Sequence, residues 1–502
     1  MRLPIFGTAL FLTTTVAGLA AAQVDAPAAA PPDAATDTTT ATPPSGPAAA
    51  QESPVSPSAE RNSTPAAQAS AAGATQPAAA TTPPAVHAVA AIGATQPAAA
   101  MSPPAVDSAA AAPMGIAPAV PGAAAPLEPA APAKKYPSFK FYGHARLDMA
   151  YSTQRMKDNE LGLWALSPSG TGADEAEFVI YPRWTRLGVV ADVAEPAEGV
   201  SITAKVEIDF VGGGSESREL PRLRHAYGQL AMGDFEILGG QTWDLFAPLI
   251  YGGMEQAIFW YGGNLGDRRP QLRITYGPRF GNSQVVLAVA AGQSGAVDMA
   301  DVDGDDVNDG VSSARPALQG LAELRAKLTP DAKKPLRVGI SGHYGGKRIR
   351  VAEDDEMFDV VAGVAHLEVP ISILTLSVEG YLGENLRDVR GGVGQGIALR
   401  RDPATSAIID AESIPAKGGF IQLAVDPVDW YGLQLGLGVD NPKGVEPGGR
   451  GMNQTFHFAN AFKPYKQFVV GAVYDYYRTS YVGDSNEDGE AHRFDLYTMV
   501  PF

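Results

Sequence analysis

Hydrophobic and polar residues alternate with a period of two along most of the C-terminal part of the chain. In the segment VSITAKVEIDF, residues 200–210, the apolar side chains occupy one parity and the polar or charged side chains the other. Successive side chains of a β-strand point to opposite faces, so this pattern predicts a strand with one apolar and one polar face. Sixteen segments show it: 139–151, 183–193, 200–210, 222–232, 234–243, 269–276, 284–292, 317–328, 335–345, 358–369, 371–382, 418–426, 430–440, 453–462, 466–477 and 491–502.

Short turns and long loops rich in glycine and aspartate alternate between these segments. No segment after Lys134 has the periodicity of an amphipathic helix. Beyond the N-terminal 22 residues, no segment has the run of about 18 apolar residues that predicts a transmembrane helix. The pattern therefore predicts an all-β fold of antiparallel strands.

Two architectures could use such strands. In a soluble sandwich or propeller the apolar faces pack together, whereas in a membrane barrel they face lipid and the polar faces line a lumen. Many segments reach the roughly 9–11 residues that cross a bilayer at a tilt, and aromatic residues cluster at strand ends, as in VYDYYRTSY (473–481). Because unpaired strand edges cannot exist in lipid, we predict a closed transmembrane antiparallel β-barrel of 16 strands. The polar parity carries charges that a dry core would not tolerate: Lys205, Glu207, Asp209, Glu323, Arg325 and Lys327.

The chain ends inside one of these alternating segments, AHRFDLYTMVPF, on Phe502. In a closed barrel the last strand pairs with the first. A terminal strand with a final aromatic residue resembles the signal that the barrel assembly machinery recognises in outer-membrane proteins, so Phe502 is the expected assembly signal. Pro501 departs from that pattern because it lacks the N–H of a ladder bond.

The N-terminal region has a different composition. Residues 1–22 have the charged, apolar and small-residue order of a secretory signal peptide. Residues 23–135 are rich in alanine and proline and have too few large apolar groups to offset chain entropy, which predicts a disordered periplasmic linker. Two interpretations stay open, an inert linker and a spacer that contacts peptidoglycan. The barrel domain is expected over residues 136–502.

Composition excludes several classes of function. The net charge of −17 argues against nucleic acid as a partner, because a phosphate backbone requires a basic surface. The absence of cysteine excludes disulfides and thiolate metal sites. The sequence also lacks the H-E-x-x-H, G-x-S-x-G and P-loop motifs, so we do not expect an enzyme.

Four blocks, PRWTRLGVV, KVEIDF, LRHAYGQL and LGGQTWDLF, occur in an order and spacing that resembles the trimeric outer-membrane porins and, within them, the DcaP-like group. The resemblance covers about residues 139–502. It implies a homotrimer in the outer membrane of a Gram-negative-type envelope, with a water-filled channel for ion transport and passive diffusion of small hydrophilic solutes. The N-terminal coiled-coil extension of that group is not matched here.

The resemblance also implies a pore constriction. In porins the loop after the fifth strand folds into the lumen, and here that loop spans residues 244–267. Period two leaves both faces open for Arg224, and the resemblance implies the lumen. The alternative is that each arginine only pairs with a wall carboxylate. Five bases against three acids predict a mild preference for anions such as carboxylates. The bases are Arg186, Arg224, Arg273, Arg146 and Lys205, and the acids are Asp244, Glu255 and Asp267.

A second set of carboxylates occurs in the stretch DMADVDGDDVNDG. Asp301, Asp303, Asp305 and Asp309 offer the hard oxygen ligands that Ca²⁺ prefers, and neighbouring glycines allow tight turns. The alternative is a solvated acidic loop. Residues 484–490 are a weaker candidate of the same kind, and no cofactor is expected to be required.

Three functions therefore stay open. The first is a diffusion porin. The second is a structural outer-membrane barrel that anchors the N-terminal tract to the cell wall. The third is a soluble or surface-layer β protein or an enzyme.

Overall fold

The computed structural model describes residues 137–193, 196–213, 219–249, 259–329, 332, 334–483 and 486–502. The predicted signal peptide and linker lie outside these residues. Within them the chain forms a closed antiparallel barrel of sixteen strands, as predicted. The strands are β1 (Ser138–Ser152), β2 (Glu177–Tyr181 and Arg186–Val193), β3 (Val200–Asp209), β4 (Arg222–Met232), β5 (Phe235–Trp243), β6 (Arg268–Tyr276, extended by Arg279–Phe280), β7 (Ser283–Gly292), β8 (Ala317–Ala326), β9 (Leu336–Val351), β10 (Asp354–Ile371), β11 (Leu374–Glu384), β12 (Pro415–Val428), β13 (Tyr431–Pro442), β14 (Arg450–Tyr465), β15 (Phe468–Tyr481) and β16 (Gly489–Pro501).

The barrel closes between its first and last strands. β1 pairs antiparallel with β16 on one side, in the register Ala145↔Val500, and with both parts of β2 on the other. Gly143 and Phe502 exchange two backbone hydrogen bonds of 3.1 Å, so the seam continues past Pro501 to the last residue. Every strand is thereby paired on both sides, which satisfies the backbone groups that lipid could not.

Eight loops join the strands at one end of the barrel, and short connections join them at the other. Five of the eight loops have 12 or more residues, the last two have seven each, and the fifth is the two-residue turn of a hairpin whose strands β9 and β10 have 16 and 18 residues. The loops are L1 (153–176), L2 (210–221), L3 (244–267), L4 (293–316), L5 (352–353), L6 (385–414), L7 (443–449) and L8 (482–488).

Short secondary-structure elements occur within the loops. L4 contains the helix α1 (Asp309–Ser312), and L6 contains two 3₁₀ turns (Leu386–Val389 and Gly392–Gly394) and a hairpin (Ile397–Arg401 with Ile408–Ser413). L1 contains a second, two-residue ladder, Met156–Lys157 with Trp164–Ala165. In the described part of the chain, no helix has the length and apolarity needed to cross a membrane.

The two faces of the wall differ as the alternation predicts. The apolar parity points outward, so that Phe139 and Val289 expose 63% and 60% of their surface. The polar parity points inward and is buried, including Arg146, Glu207 and Arg273. An apolar exterior around a charged interior is the reverse of a soluble sandwich and suits a lipid bilayer. The chain is therefore a transmembrane β-barrel.

Candidate pore constriction and loop sites

The first arm of L3 lies inside the barrel. Its backbone N–H groups donate to side chains on three strands: Leu245 to Gln319 Oε1 at 2.6 Å, Ala247 to Ser341 Oγ at 3.2 Å, and Leu249 to Glu379 Oε2 at 3.3 Å. These acceptors belong to the inward parity of β8, β9 and β11. The arm therefore crosses the inner wall, which confirms that the loop after the fifth strand folds into the lumen.

The returning arm of L3 crosses to the next strands of the wall. Phe259 stacks on Phe420 of β12 with ring centroids 5.9 Å apart, and Asn453 Nδ2 of β14 donates to Tyr261 O at 3.0 Å. At Gly263 a Cβ would clash with the carbonyl of Gly419, so only glycine allows this close approach. Residues 250–258 lie outside the described part of the loop, and with them the predicted constriction residue Glu255.

Asp244 begins L3 and is fully enclosed. Its carboxylate pairs with Arg269 of β6, accepts from Gln319 Nε2 at 2.7 Å, and accepts the backbone N–H of Asp267 at 3.0 Å. Arg269 also reaches Asp388 of L6, with Nη1 3.2 Å from Oδ2. Asp244 thus joins both ends of L3 to the wall, and its charge is compensated locally.

Asp267 closes the same loop in a similar way. Arg390 of L6 donates to its Oδ2 through Nε at 2.8 Å and through Nη2 at 2.6 Å. Arg268 lies 3.1 Å from Oδ1 and covers the ring of Trp243, 4.6 Å from its centroid. The structure therefore gives both described acids of the predicted constriction an arginine partner that the sequence had not linked to them.

A cluster of charges lies on the inner face of β2, β3 and β4, around the carboxylate of Glu207. Arg224 Nε and the hydroxyl of Tyr142 each donate to it at 2.7 Å. Arg186 Nε lies 3.5 Å from Oε1, and Lys205 Nζ lies 3.4 Å from Oε2. Three of the five predicted bases therefore meet at the carboxylate of Glu207. The sequence pattern placed Glu207 on the polar face but did not predict that these bases surround it.

Asp209 supplies a second acid to this cluster. It accepts from Arg222 Nη2 at 2.7 Å and from Arg224 Nη1 at 2.9 Å. The cluster is buried against the wall and holds more bases than acids. We call it the Glu207 cluster, and its charged members are Arg186, Lys205, Glu207, Asp209, Arg222 and Arg224.

A β-bulge decides the face of Arg224. Glu207 pairs with His225 and Ile208 pairs with Leu223, so Arg224 is an extra residue in β4. Leu223 points outward and is 45% exposed, while Arg224 and His225 are both buried inside, at 6% and 2%. The inward face expected for Arg224 is confirmed, and His225 shares it, because a bulge lets two consecutive residues face the same side.

The other two predicted bases lie elsewhere on the inner wall. Arg146 of β1 donates to Asp148 at 2.8 Å and lies 3.9 Å from the centroid of the Tyr497 ring. Arg273 of β6 donates to the carbonyl of Trp243 at 2.6 Å, and no described carboxylate lies within ion-pair distance of it. The structure thus brings Arg186, Arg224 and Lys205 together and leaves these two apart.

A second inward cluster lies on β8–β10, where Arg325 and Arg337 meet the acids Glu323 and Glu368. Glu323 pairs with Arg325 and with Arg337, whose Nη2 lies 2.9 Å away, and His366 Nε2 lies 2.8 Å from its Oε2. Arg337 Nη2 is also 3.5 Å from the carbonyl of Pro248 in L3. Through Arg337 this cluster also contacts the first arm of L3.

The predicted calcium residues lie in L4. Asp301, Asp303 and Asp309 each offer a carboxylate oxygen, and these oxygens lie within 4.8 Å of one another. Asp305 is not part of this group; its Oδ1 accepts the backbone N–H of Val307 at 2.8 Å, and its side chain is exposed. Burial raises the pKa of Asp309 to about 6. In the weaker candidate, Asp484 lies outside the described residues.

Phe502 is 63% exposed at the outer face of the seam. A Cβ at Gly143 would lie 2.9 Å from Cζ of the Phe502 ring, so a glycine on β1 makes room for the terminal aromatic. This geometry places Phe502 on the apolar parity with Phe494, Leu496 and Val500. Its role in assembly stays a prediction.

The fold and the inner wall together define an outer-membrane type of β-barrel. The outer membrane channel DcaP of Acinetobacter baumannii matches with a TM-score of 0.57 over 74% of this chain and 98% of DcaP, at 18% identity. OmpT of Vibrio cholerae matches with a TM-score of 0.43 over 74% of this chain and 99% of OmpT, at 11% identity. A Salmonella typhi OmpF complex with daunomycin matches with a TM-score of 0.45 over 72% of this chain and 97% of OmpF, at 8% identity. These two similarities are too weak to support a conclusion about this chain. No protein-family model matches the chain, and no curated protein matches it in sequence.

At this identity the likeness to DcaP shows a shared fold. It confirms the porin-type barrel that the sequence resemblance implied. The closed barrel with its apolar exterior fits a lipid bilayer.

Proposed function

We propose that the chain is a water-filled channel for passive diffusion of small hydrophilic solutes, with a mild preference for anions such as carboxylates. DcaP, whose fold it shares, is an outer membrane channel. The resemblance to trimeric porins supports a homotrimer. The observation that carries the anion preference is the Glu207 cluster, in which four bases surround two acids on the inner wall.

The effect of a fixed charge on selectivity depends on its distance from the solute in the lumen. A solute in the lumen responds mainly to charges within about 8–10 Å, because salt screens those further away. The net charge of −17 belongs to the whole chain, whereas the Glu207 cluster holds four bases and two acids on the inner wall. Fixed positive charge lowers the barrier for anions and raises it for cations.

The test is electrical recording from folded protein in planar bilayers with a KCl gradient. We expect stepwise ohmic conductance and a reversal potential of the sign for anion preference. Arg186→Ala with Arg224→Ala should lower the anion-to-cation permeability ratio about twofold or more, since it removes two of four bases. Arg400→Ala with Arg478→Ala is the matched control, because both arginines are exposed and ion-paired outside the lumen.

The outcomes separate the candidate functions. Cation preference in the wild type, or an unchanged ratio in the double variant, would contradict the anion proposal and leave the channel intact. Folded protein without conductance would contradict the channel and favour the alternative, a structural barrel that anchors the N-terminal tract.

A further inference from the structure

Three carboxylates of L4 form a close group that makes no ion pair among the described residues. Asp301, Asp303 and Asp309 bring one oxygen each to within 4.8 Å of the others. In the described part of the chain, no lysine or arginine side chain lies within ion-pair distance of any of the three. Like charges so close together repel one another unless a proton or a cation lies between them.

Two oxygens of this group are buried and lack a hydrogen-bond partner. Asp309 is 1% exposed, its Oδ1 accepts the backbone N–H of Val302 at 3.1 Å, and its Oδ2 has no partner. Asp303 Oδ2 accepts the backbone N–H of Arg350 at 2.7 Å, and its buried Oδ1 also has none. An unpartnered buried carboxylate oxygen is costly, and two of them in one group of carboxylates indicate a ligand that supplies positive charge.

We propose that Asp301, Asp303 and Asp309 bind one Ca²⁺ ion at the long-loop end of the barrel. Calcium takes 6–8 oxygens at about 2.3–2.6 Å, so ligand oxygens on opposite sides of the ion lie up to about 5 Å apart. The three oxygens lie within 4.8 Å of one another, which is compatible with that span. Magnesium requires near-octahedral geometry and gives up its waters reluctantly, so a site built from several protein carboxylates favours calcium.

The surrounding contacts show what the ion would join. Asp303 is bound to β9 through the backbone of Arg350, and the neighbouring carbonyl of Val302 accepts from Arg401 Nη2 of the L6 hairpin at 2.6 Å. Asp309 begins helix α1, whose Ser312 hydroxyl lies 3.1 Å from the carbonyl of Arg348. An ion held by these aspartates would therefore fix L4 against β9 and L6 at the mouth of the barrel.

The test is calorimetric titration of CaCl₂ into the full chain, folded in detergent and stripped with EDTA. We expect saturable binding of one Ca²⁺ attributable to this group, with MgCl₂ binding at least tenfold more weakly. Asp309→Asn and Asp303→Asn should each weaken Ca²⁺ binding at least tenfold. Asp305→Asn is the matched control in the same loop and should retain wild-type affinity.

Limited proteolysis of L4 gives a second measurement that does not depend on channel activity. Calcium should slow cleavage of the wild type and of Asp305→Asn, and leave cleavage of Asp309→Asn unchanged. The proposal is overturned if the wild type binds no Ca²⁺ below about millimolar concentration, or if both aspartate variants bind it as tightly as the wild type. If Asp305→Asn weakened Ca²⁺ binding as much as the other two variants, the proposal would also be overturned, because every acid of the loop would then contribute equally and no defined site would exist.

Discussion

Two groups of carboxylates in this chain have opposite surroundings. On the inner wall, Glu207 and Asp209 lie among four bases from three adjacent strands. In L4, Asp303 and Asp309 have buried oxygens with no partner and no described base at ion-pair distance. Strand register brings charges of both signs together on the wall, while the loop gathers acids from one short segment. On the inner wall, the fold itself supplies the bases that balance the acids. In L4, the balancing positive charge must come from a cation in solution.

The comparison predicts opposite responses to the loss of a carboxylate. Removing one partner of a buried ion pair leaves the other charge uncompensated, which costs several kcal/mol. Removing one of several like charges relieves repulsion instead. Stability measurements on matched variants can therefore test whether the two groups of carboxylates differ in this way.

The largest effect is expected for Glu207→Ala. The change leaves Arg186, Arg224 and Lys205 without their shared acid, so the free energy of unfolding should fall by about 3 kcal/mol. Urea unfolding in phospholipid vesicles measures it. Glu175→Ala, an exposed acid paired with Arg155 in L1, is the control and should change stability by less than about 1 kcal/mol. A loss no larger than the control would mean that the cluster does not stabilise the wall.

An intermediate effect is expected for Glu323→Gln. The amide keeps the size and one acceptor oxygen but removes the charge that binds Arg325, Arg337 and His366. Charged hydrogen bonds of this kind contribute about 1.5–3 kcal/mol, so we expect a loss of about 2 kcal/mol in the same urea assay. No loss would show that the rule for the Glu207 cluster does not extend to the rest of the wall.

The smallest effect, and the opposite sign, is expected for Asp309→Asn in EDTA. The amide removes one charge from three close carboxylates and keeps an oxygen for the Val302 N–H. Proteolytic cleavage of L4 should therefore be no faster than in the wild type, and local stability should rise by up to about 1 kcal/mol. Faster cleavage without calcium would show that Asp309 stabilises L4 by itself.

The sequence predicts the wall well because its signal is local. Each of the sixteen strands is predicted by the alternation of apolar and polar residues within its own segment. The inward path of L3 is predicted by the resemblance to porins. The face of Arg224 could not be predicted from its own strand alone. The bulge beside it is defined by the partner strand, where Glu207 and Ile208 pair with His225 and Leu223.

The chemistry of the sites depends on contacts between distant residues. Asp244 and Asp267 meet arginines of β6 and L6, and the partner Arg390 is 123 residues from Asp267 along the chain. Glu207 becomes the centre of its cluster only when three strands align. In L4 the spacing suggested four aspartates, and the loop path brings together three of them without Asp305. No periodicity in the sequence records these pairings.

The central claim is that the charges of the Glu207 cluster set the selectivity of a channel. The most direct measurement compares the reversal potentials of Glu207→Gln and Arg224→Gln with the wild type in one KCl gradient. Both changes remove a single charge and retain a hydrogen-bonding side chain at the same place. We expect Glu207→Gln to raise the anion-to-cation permeability ratio and Arg224→Gln to lower it. Shifts in the same direction, or no shift in either variant, would contradict it.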